Sequence, residues 1–203
     1  MNVPLPPRLL IATTNRGKLD EIRAIIGALP VALVTLSHFP QVRAPDETEA
    51  TFAENARLKA RLYADATGEL TVSEDSGLEI DLLDGKPGVR SARFNGESYV
   101  EKFAKIERML AERGVTSSPA RFSCALALAR PGEIVWETTG IIEGWLRLPA
   151  RGDSGFGYDP IFYYPPYNRT LAEVTVNEKA AVSHRGQAFR ALRNYLQSAP
   201  DPV

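Results

Sequence analysis

RLLIATTNRGKLDEI, residues Arg8 to Ile22, is the stretch on which the fold turns. Arg8 to Thr13 is a short apolar run and predicts a buried first strand. It feeds directly into Thr14-Asn15-Arg16-Gly17-Lys18. Beyond that, Leu19, Ile22, Ile25, Ile26 and Leu29 recur at helical spacing and predict an amphipathic helix. Thr14 or Asn15 is placed to cap it. A buried strand that passes straight into a helix is the repeating unit of an α/β sheet.

Working outward, Val31 to Leu36 reads as a second strand, and Ser37 to Ala50 as a loop without periodicity. Thr51-Phe52-Ala53-Glu54 matches a capping box and opens a helix through about Ala66. Leu70 to Glu74 and Leu78 to Leu83 read as two strands on either side of Asp75-Ser76-Gly77. Ser98-Tyr99-Val100-Glu101 is a second capping box, whose helix Gly114 can end. Arg121 to Ala129 and Ile134 to Leu148 read as long strands joined at Arg130-Pro131-Gly132-Glu133. Gly152 to Pro160 is a glycine-rich loop, and a last helix runs from about Ser183 to Gln197 with Phe189, Leu192 and Leu196 inward. The expectation is a mixed α/β protein with an antiparallel part inserted in its middle. Apart from the proline-containing Pro200-Asp201-Pro202 tail, no repeat or low-complexity segment appears.

Bulk properties narrow the classes. A chain of 203 residues suits one large domain or two small lobes around a shared core. Hydrophobic residues make up 44% and charged residues 24%, as in a packed globular domain. With 24 basic and 25 acidic residues the net charge is -1, which argues against a nucleic-acid partner. The lone cysteine, Cys124, forbids an intrachain disulfide, fits a reducing compartment and sits in a run that reads as a buried strand. No apolar stretch spans a bilayer, and Met1 to Pro7 lacks the layout of a signal peptide. The expectation is a cytoplasmic protein with no membrane partner.

Five segments carry chemistry. In Thr13-Thr14-Asn15-Arg16-Gly17-Lys18, the first amides of a helix and its positive dipole end suit a phosphate, with Lys18 adding charge. The spacing is not that of a P-loop. Asp46-Glu47 precedes a helix on which Asn55 and Lys59 share a face, so Glu47 can reach a metal while Lys59 reaches a phosphate, although an acidic loop and a solvated helix face account for the same residues. Ser73-Glu74-Asp75-Ser76-Gly77 places two carboxylates together. Such oxygens suit Mg²⁺, although a polar β-turn accounts for the same residues. Gly152 to Pro160 (GDSGFGYDP) surrounds Phe156, Tyr158 and Asp159 with glycines. Phe156 is suited to stacking on a base, whereas Tyr158 reads better as core. Finally, Lys179, Ser183, His184 and Arg185 offer donors to a carbonyl oxygen on a base. Of the two histidines, His38 lies in a proline-flanked loop and carries no expected role. Taken together, an anion cradle, metal carboxylates, an aromatic platform and three separate lysines fit a nucleoside triphosphate.

IATTNRGKLDEI, TFAENARLKA, EDSGLEIDLLDGKPGVRSARF, RGDSGFGYDPIF and EKAAVSHRGQA, in this order, make the chain resemble the inosine triphosphate pyrophosphatase family from Leu9 to about Leu196. The resemblance implies an elongated mixed sheet flanked by helices, two lobes with a cleft between them, and a homodimer. It implies one pyrophosphatase domain, with about 8–90 and 160–197 on one side and about 115–150 supplying the antiparallel part. The implied reaction hydrolyses ITP, dITP and XTP to the monophosphate and pyrophosphate with Mg²⁺, one ion or more per subunit. The implied roles are catalysis for Asp75, metal binding for Glu47 and Asp75, and phosphate binding for Thr13 to Lys18 and Lys59. Ser76 becomes a substrate contact, and Phe156, Gly157, Tyr158, Asp159, Lys179, His184 and Arg185 serve the purine. The acidic loop leaves Asp46 open as the ligand in place of Glu47. The chain departs from the family pattern at Thr14 and Glu49, where glycine is common, and at Glu74, where aspartate is. Three other readings stand beside this one: a pyrophosphatase for modified pyrimidine nucleotides, a non-catalytic nucleotide-binding protein, and an RNA-binding module.

Overall fold

The computed structural model describes residues 8–27, 29, 31–96 and 98–198. The expectations for Met1 to Pro7 and for the Pro200-Asp201-Pro202 tail lie outside them. The chain runs β1 (Arg8–Ile11), α1 (Arg16–Ile26), β2 (Ala32–Thr35), α2 (Phe52–Thr67) and β3 (Leu70–Ile80). It continues with α3 (Tyr99–Ala111), β4 (Ser117–Arg130), β5 (Glu133–Arg147), β6 (Phe162–Tyr164), β7 (Arg169–Thr170), α4 (Val176–Val182) and α5 (His184–Ser198). The strands form a seven-stranded sheet in the order β2-β1-β3-β4-β5-β6-β7. β1 pairs in parallel with both β2 and β3, whereas β6 pairs antiparallel with β5 and β7. The mixed α/β class expected from the sequence is the class observed. Among the described residues no helix is long and apolar enough to cross a membrane.

The helices begin where the sequence says they should. Asn15 caps α1 by accepting from the Lys18 amide, and Thr51 with Glu54 and Ser98 with Glu101 form the two expected capping boxes. α1 stops at Gly27, whose φ is 60°, so Leu29 falls outside it despite its spacing.

One expectation is corrected. Asp75-Ser76-Gly77 is not a turn between two strands, because β3 runs unbroken from Leu70 to Ile80. Its polar side chains find charged partners on both faces, and these partners replace the water that a turn would have supplied. A short helix was also missed. Thr175 caps α4 in a box with Glu178, the same Thr-x-x-Glu signature found elsewhere in the chain.

The described residues fall into two compact units, one within Met1–Asp75, Cys124–Gly140 and Arg185–Val203, the other within Ser76–Ser123 and Ile141–His184. Their limits fall inside β3, β4 and β5. In the first unit, Ala56, Ala60 and Ala64 of α2 form one cluster with Ala125, Ala127 and Ala129 of β4. Four residues of helix advance about 6 Å and two of strand about 6.7 Å, so small side chains at these intervals can stay in register. Leu10, Ala12, Val34 and Tyr63 form a second cluster there. The second unit packs Leu78, Ile80, Ile106, Leu110, Phe122 and Phe162 among its core residues.

Candidate active site

β3 carries the central acid of the first unit. Successive side chains of a strand point to opposite faces, so the neighbours Glu74 and Asp75 are sent to different surroundings. Asp75 meets α2. Its Oδ2 accepts a hydrogen bond from Asn55 Nδ2 at 3.1 Å, and its Oδ1 lies 3.5 Å from Lys59 Nζ. Lys59 also ion-pairs with Glu47. One ammonium thus gathers the two carboxylates that the resemblance assigns to a metal, while Asp46 is exposed. Asn55 does a second job. Its Oδ1 accepts from the Glu49 amide at 3.1 Å, which ties the acidic loop to the capped start of α2.

Glu74 faces the other way. Arg185 donates to its Oε1 through Nε at 3.3 Å and through Nη2 at 3.2 Å, and to Glu21 of α1 at 2.6 Å. Lys18 lies 3.1 Å from the same Glu74 oxygen. Cys124 Sγ points at Glu74 from 3.5 Å and is fully buried. Burial pushes that thiol well up, so it is an inert core group, as its sequence setting implied.

The electrostatics follow from burial. Desolvation raises the Asp75 carboxyl above its ordinary range, Lys59 opposes that shift, and Glu47 adds to it. Lys59 shows the reverse balance. Burial alone lowers an ammonium, but Asp75 and Glu47 outweigh it and hold the pKa up. The donor set is hard oxygen arranged around a positive charge, which is what a hard divalent ion requires.

The cradle at the start of α1 is partly self-satisfied. Thr13 Oγ1 accepts from the Asn15 amide at 3.2 Å, and Asn15 Oδ1 accepts from the Lys18 amide at 3.1 Å. These two side chains therefore hold the turn in shape. Thr14, Asn15 and Arg16 are exposed, and Gly17 and Lys18 half-buried.

The second unit holds the other expected residues. Lys179 of α4 ion-pairs with Asp159, and its ammonium stands 4.9 Å from the centre of the Phe156 ring. The Phe156 amide donates to Asp159 Oδ2 at 2.8 Å, so one carboxylate fixes both loop and lysine. Gly155 has φ 71°, and a Cβ there would collide with Asp159 Oδ2; glycine is required. Phe156 remains half-exposed, while Tyr158 is buried, with its hydroxyl donating to the Ser91 carbonyl at 2.8 Å. The core reading of Tyr158 matches that placement. His184 stacks on Phe122 at 4.9 Å with an interplanar angle of 12°. Ser76 is half-buried on β3.

The sequence reading missed Tyr99. Its ring meets Tyr158 edge-on at 5.2 Å, and a Cβ on Gly157 would lie 3.4 Å from its hydroxyl. Lys102 donates to the Ala92 carbonyl at 2.8 Å and stands 4.5 Å from the Tyr99 ring centre. Tyr99 opens a capped helix at helical spacing with Phe103, Ile106 and Leu110, so its pattern reads as core and gives no signal of a site. Glu21 was missed for a similar reason: a half-buried acid on a helix gives no local signal of a buried partner.

Fold and sites define an α/β protein in which Lys59 ties a carboxylate on a central strand, Asp75, to one in the acidic loop, Glu47, while the second unit carries a glycine-rich aromatic loop. The chain belongs to the Ham1 family, whose sequence profile matches residues 9–195. It is 43% identical over 191 residues to a protein of Exiguobacterium sibiricum called dITP/XTP pyrophosphatase, covering 93% of this chain and 96% of that one. A protein of the same name from Streptomyces coelicolor is 45% identical over 190 residues, 91% of this chain and 94% of its own. Among solved structures, a HAM1 protein from Coxiella burnetii superposes with a TM-score of 0.88 at 36% identity, covering 96% of this chain and 100% of that one. A nucleoside-triphosphatase / dITP/XTP pyrophosphatase from Mycobacterium abscessus gives 0.71 at 39% identity, covering 91% and 97%.

Proposed function

We propose that the protein hydrolyses non-canonical purine nucleoside triphosphates, ITP, dITP and XTP, to the monophosphate and pyrophosphate. The observation that carries this reading is the Glu47–Lys59–Asp75 cluster, in a chain alike over nearly its whole length to proteins called dITP/XTP pyrophosphatases. The whole chain serves as one catalytic domain, a homodimer acts in the cytoplasm, and neither nucleic acid nor membrane is a partner.

Water attacks the α-phosphorus, the bond from that phosphorus to the bridging oxygen breaks, and pyrophosphate leaves. Asp75 accepts the proton of the attacking water; a carboxylate raised by burial is a stronger base than an exposed one. Glu47 and Asp75 hold Mg²⁺, which when bound neutralises phosphate charge and polarises the phosphate oxygens. Asn55 orients the Asp75 carboxylate. Lys18, Lys59 and the first amides of α1, shaped by Thr13 to Gly17, bind the phosphate chain, and Ser76 contacts the substrate. Phe156 offers its ring to the base, and Gly157, Tyr158 and Asp159 shape the loop that presents it. Lys179, His184 and Arg185 serve the purine end. A 6-oxo group accepts from such donors, whereas the 6-amino group of adenine does not.

The test is pyrophosphate release by the purified chain from ITP, dITP, XTP, ATP and dUTP, with and without Mg²⁺. Metal-dependent release from the first three is expected. Preference for dUTP, or nucleotide binding without release, overturns the reading.

A further inference from the structure

We propose that Lys59 competes with the divalent ion for the oxygens of Glu47 and Asp75, so that the metal binds in concert with the phosphate chain that draws the lysine away. The inference rests on the site reading above and adds a coupling to it. The Lys59 ammonium touches Glu47 Oε1 and stands 3.5 Å from Asp75 Oδ1, with only 10% of its side chain exposed. A lysine held this way neutralises the acids, but a second cation beside it meets a like charge at short range. Glu74, whose charge also reaches Lys59 and Asp75, is already held by Arg185 and Lys18. Among the described residues no group of three or more histidine, cysteine, aspartate or glutamate side chains forms a ready-made cage. Two carboxylates are a small set for Mg²⁺, which completes its shell with water and substrate phosphates.

A triphosphate relieves both constraints. It supplies oxygens to the ion and a new anion to the ammonium, and the four-carbon stem of lysine lets the charge move while the helix stays fixed. α2 is suited to this, since its start is locked by the Thr51–Glu54 box and its face by the alanine cluster. Metal and nucleotide therefore bind with positive coupling, and each raises the affinity of the other by the same factor.

The test uses Mn²⁺ titrated into the full chain without nucleotide, with free Mn²⁺ read by electron paramagnetic resonance. Lys59→Met should bind Mn²⁺ about tenfold more tightly than the wild type, within the usual range of coupling between two sites. Lys59→Gln serves as a second variant, and melting curves check that each is folded. The double variant Lys59→Met/Asp75→Asn should lose the gain, which places the ion on the named carboxylates. Equal or weaker binding by both single variants overturns the proposal, and so does a gain that survives the Asp75 change. None of these readouts depends on turnover. A wild type that releases no pyrophosphate from ITP or XTP would refute the functional reading separately.

Discussion

Replacing Arg185 with methionine should cost the protein much of its stability, and the size of the loss follows from what the guanidinium holds. Arg185 is 2% exposed and serves two acids at once, Glu74 on β3 and Glu21 on α1. Methionine keeps most of the volume and removes the charge. Glu74, itself 4% exposed, then retains only Lys18 among these cations, and Glu21 loses its partner in this pair. Removing one member of a buried pair generally costs ~3–5 kcal/mol, because the remaining charge stays desolvated. In a protein of this size each kcal/mol moves the melting temperature by about 2–4 °C, so a fall of roughly 6–20 °C is expected. The assay is thermal unfolding by circular dichroism at neutral pH without ligand. Adding Glu74→Gln to the methionine variant should recover part of the loss, since a neutral amide needs no counter-ion. A melting temperature within about 2 °C of the wild type would refute the reasoning. A variant that keeps its stability but loses its preference for ITP over ATP would show that Arg185 serves the base alone.

Asp75→Asn should lower turnover by roughly 10²–10⁴-fold, as expected for loss of a general base. The same change should raise the melting temperature at neutral pH in a chelator, because burial disfavours the ionised carboxylate. The sign is fixed by linkage: a carboxyl raised in the fold is harmless below its unfolded pKa and becomes a cost as the pH rises through its folded one. The stability gap between variant and wild type should therefore be small near pH ~4 and widen toward neutrality, and a variant that melts lower at neutral pH contradicts it. Phe156→Ala should raise the KM for ITP by roughly 5- to 150-fold, from a stacking loss of ~1–3 kcal/mol, with a smaller effect on kcat. An unchanged KM removes the ring from the base. Gly155→Ala forces a side chain into left-handed backbone, at ~1–2 kcal/mol, and pushes against Asp159 Oδ2. Melting curves should fall by a few degrees and KM should rise, whereas wild-type values for both would show that the loop adapts.

Much of this was legible in the sequence because the signals were local. The strand-to-helix passage at Arg8 to Ile22 carries its own cap in Asn15, and the boxes at Thr51 and Ser98 each satisfy two amides within four residues. Thr175-Val176-Asn177-Glu178 carries the same signature, and applying the rule there would have found α4. The failure at Asp75-Ser76-Gly77 is of another kind. Five polar or small residues in a row, Ser73 to Gly77, favour a turn, and local propensity has no term for partners 111 residues away, as Arg185 is from Glu74. Gly77 does not break β3, because it keeps an extended backbone.

That misreading matters for chemistry. Had Asp75 closed a strand at a turn, Glu74 and Asp75 could have shared one ion as neighbouring ligands. On a continuous strand they are divided between the two faces. Glu74 is committed to Arg185, Lys18 and the Cys124 side of the sheet, while Asp75 is left with Asn55, Lys59 and Glu47. The division supports the proposed choice of Asp75 as the base without any appeal to pKa. The carboxylate held by a buried guanidinium cannot move toward a metal without breaking that pair, whereas the one held by a flexible lysine can exchange its partner for an ion. Lys18 links the two faces' tasks, because this cation at the start of α1, where the phosphate chain is proposed to bind, is anchored to the Glu74 oxygen that Arg185 also holds. A change at Glu74 should therefore reach the substrate through Lys18, and Glu74→Gln should raise the KM for the triphosphate more than it lowers kcat. An equal loss in both constants would place Glu74 in the chemical step and undo this division of labour.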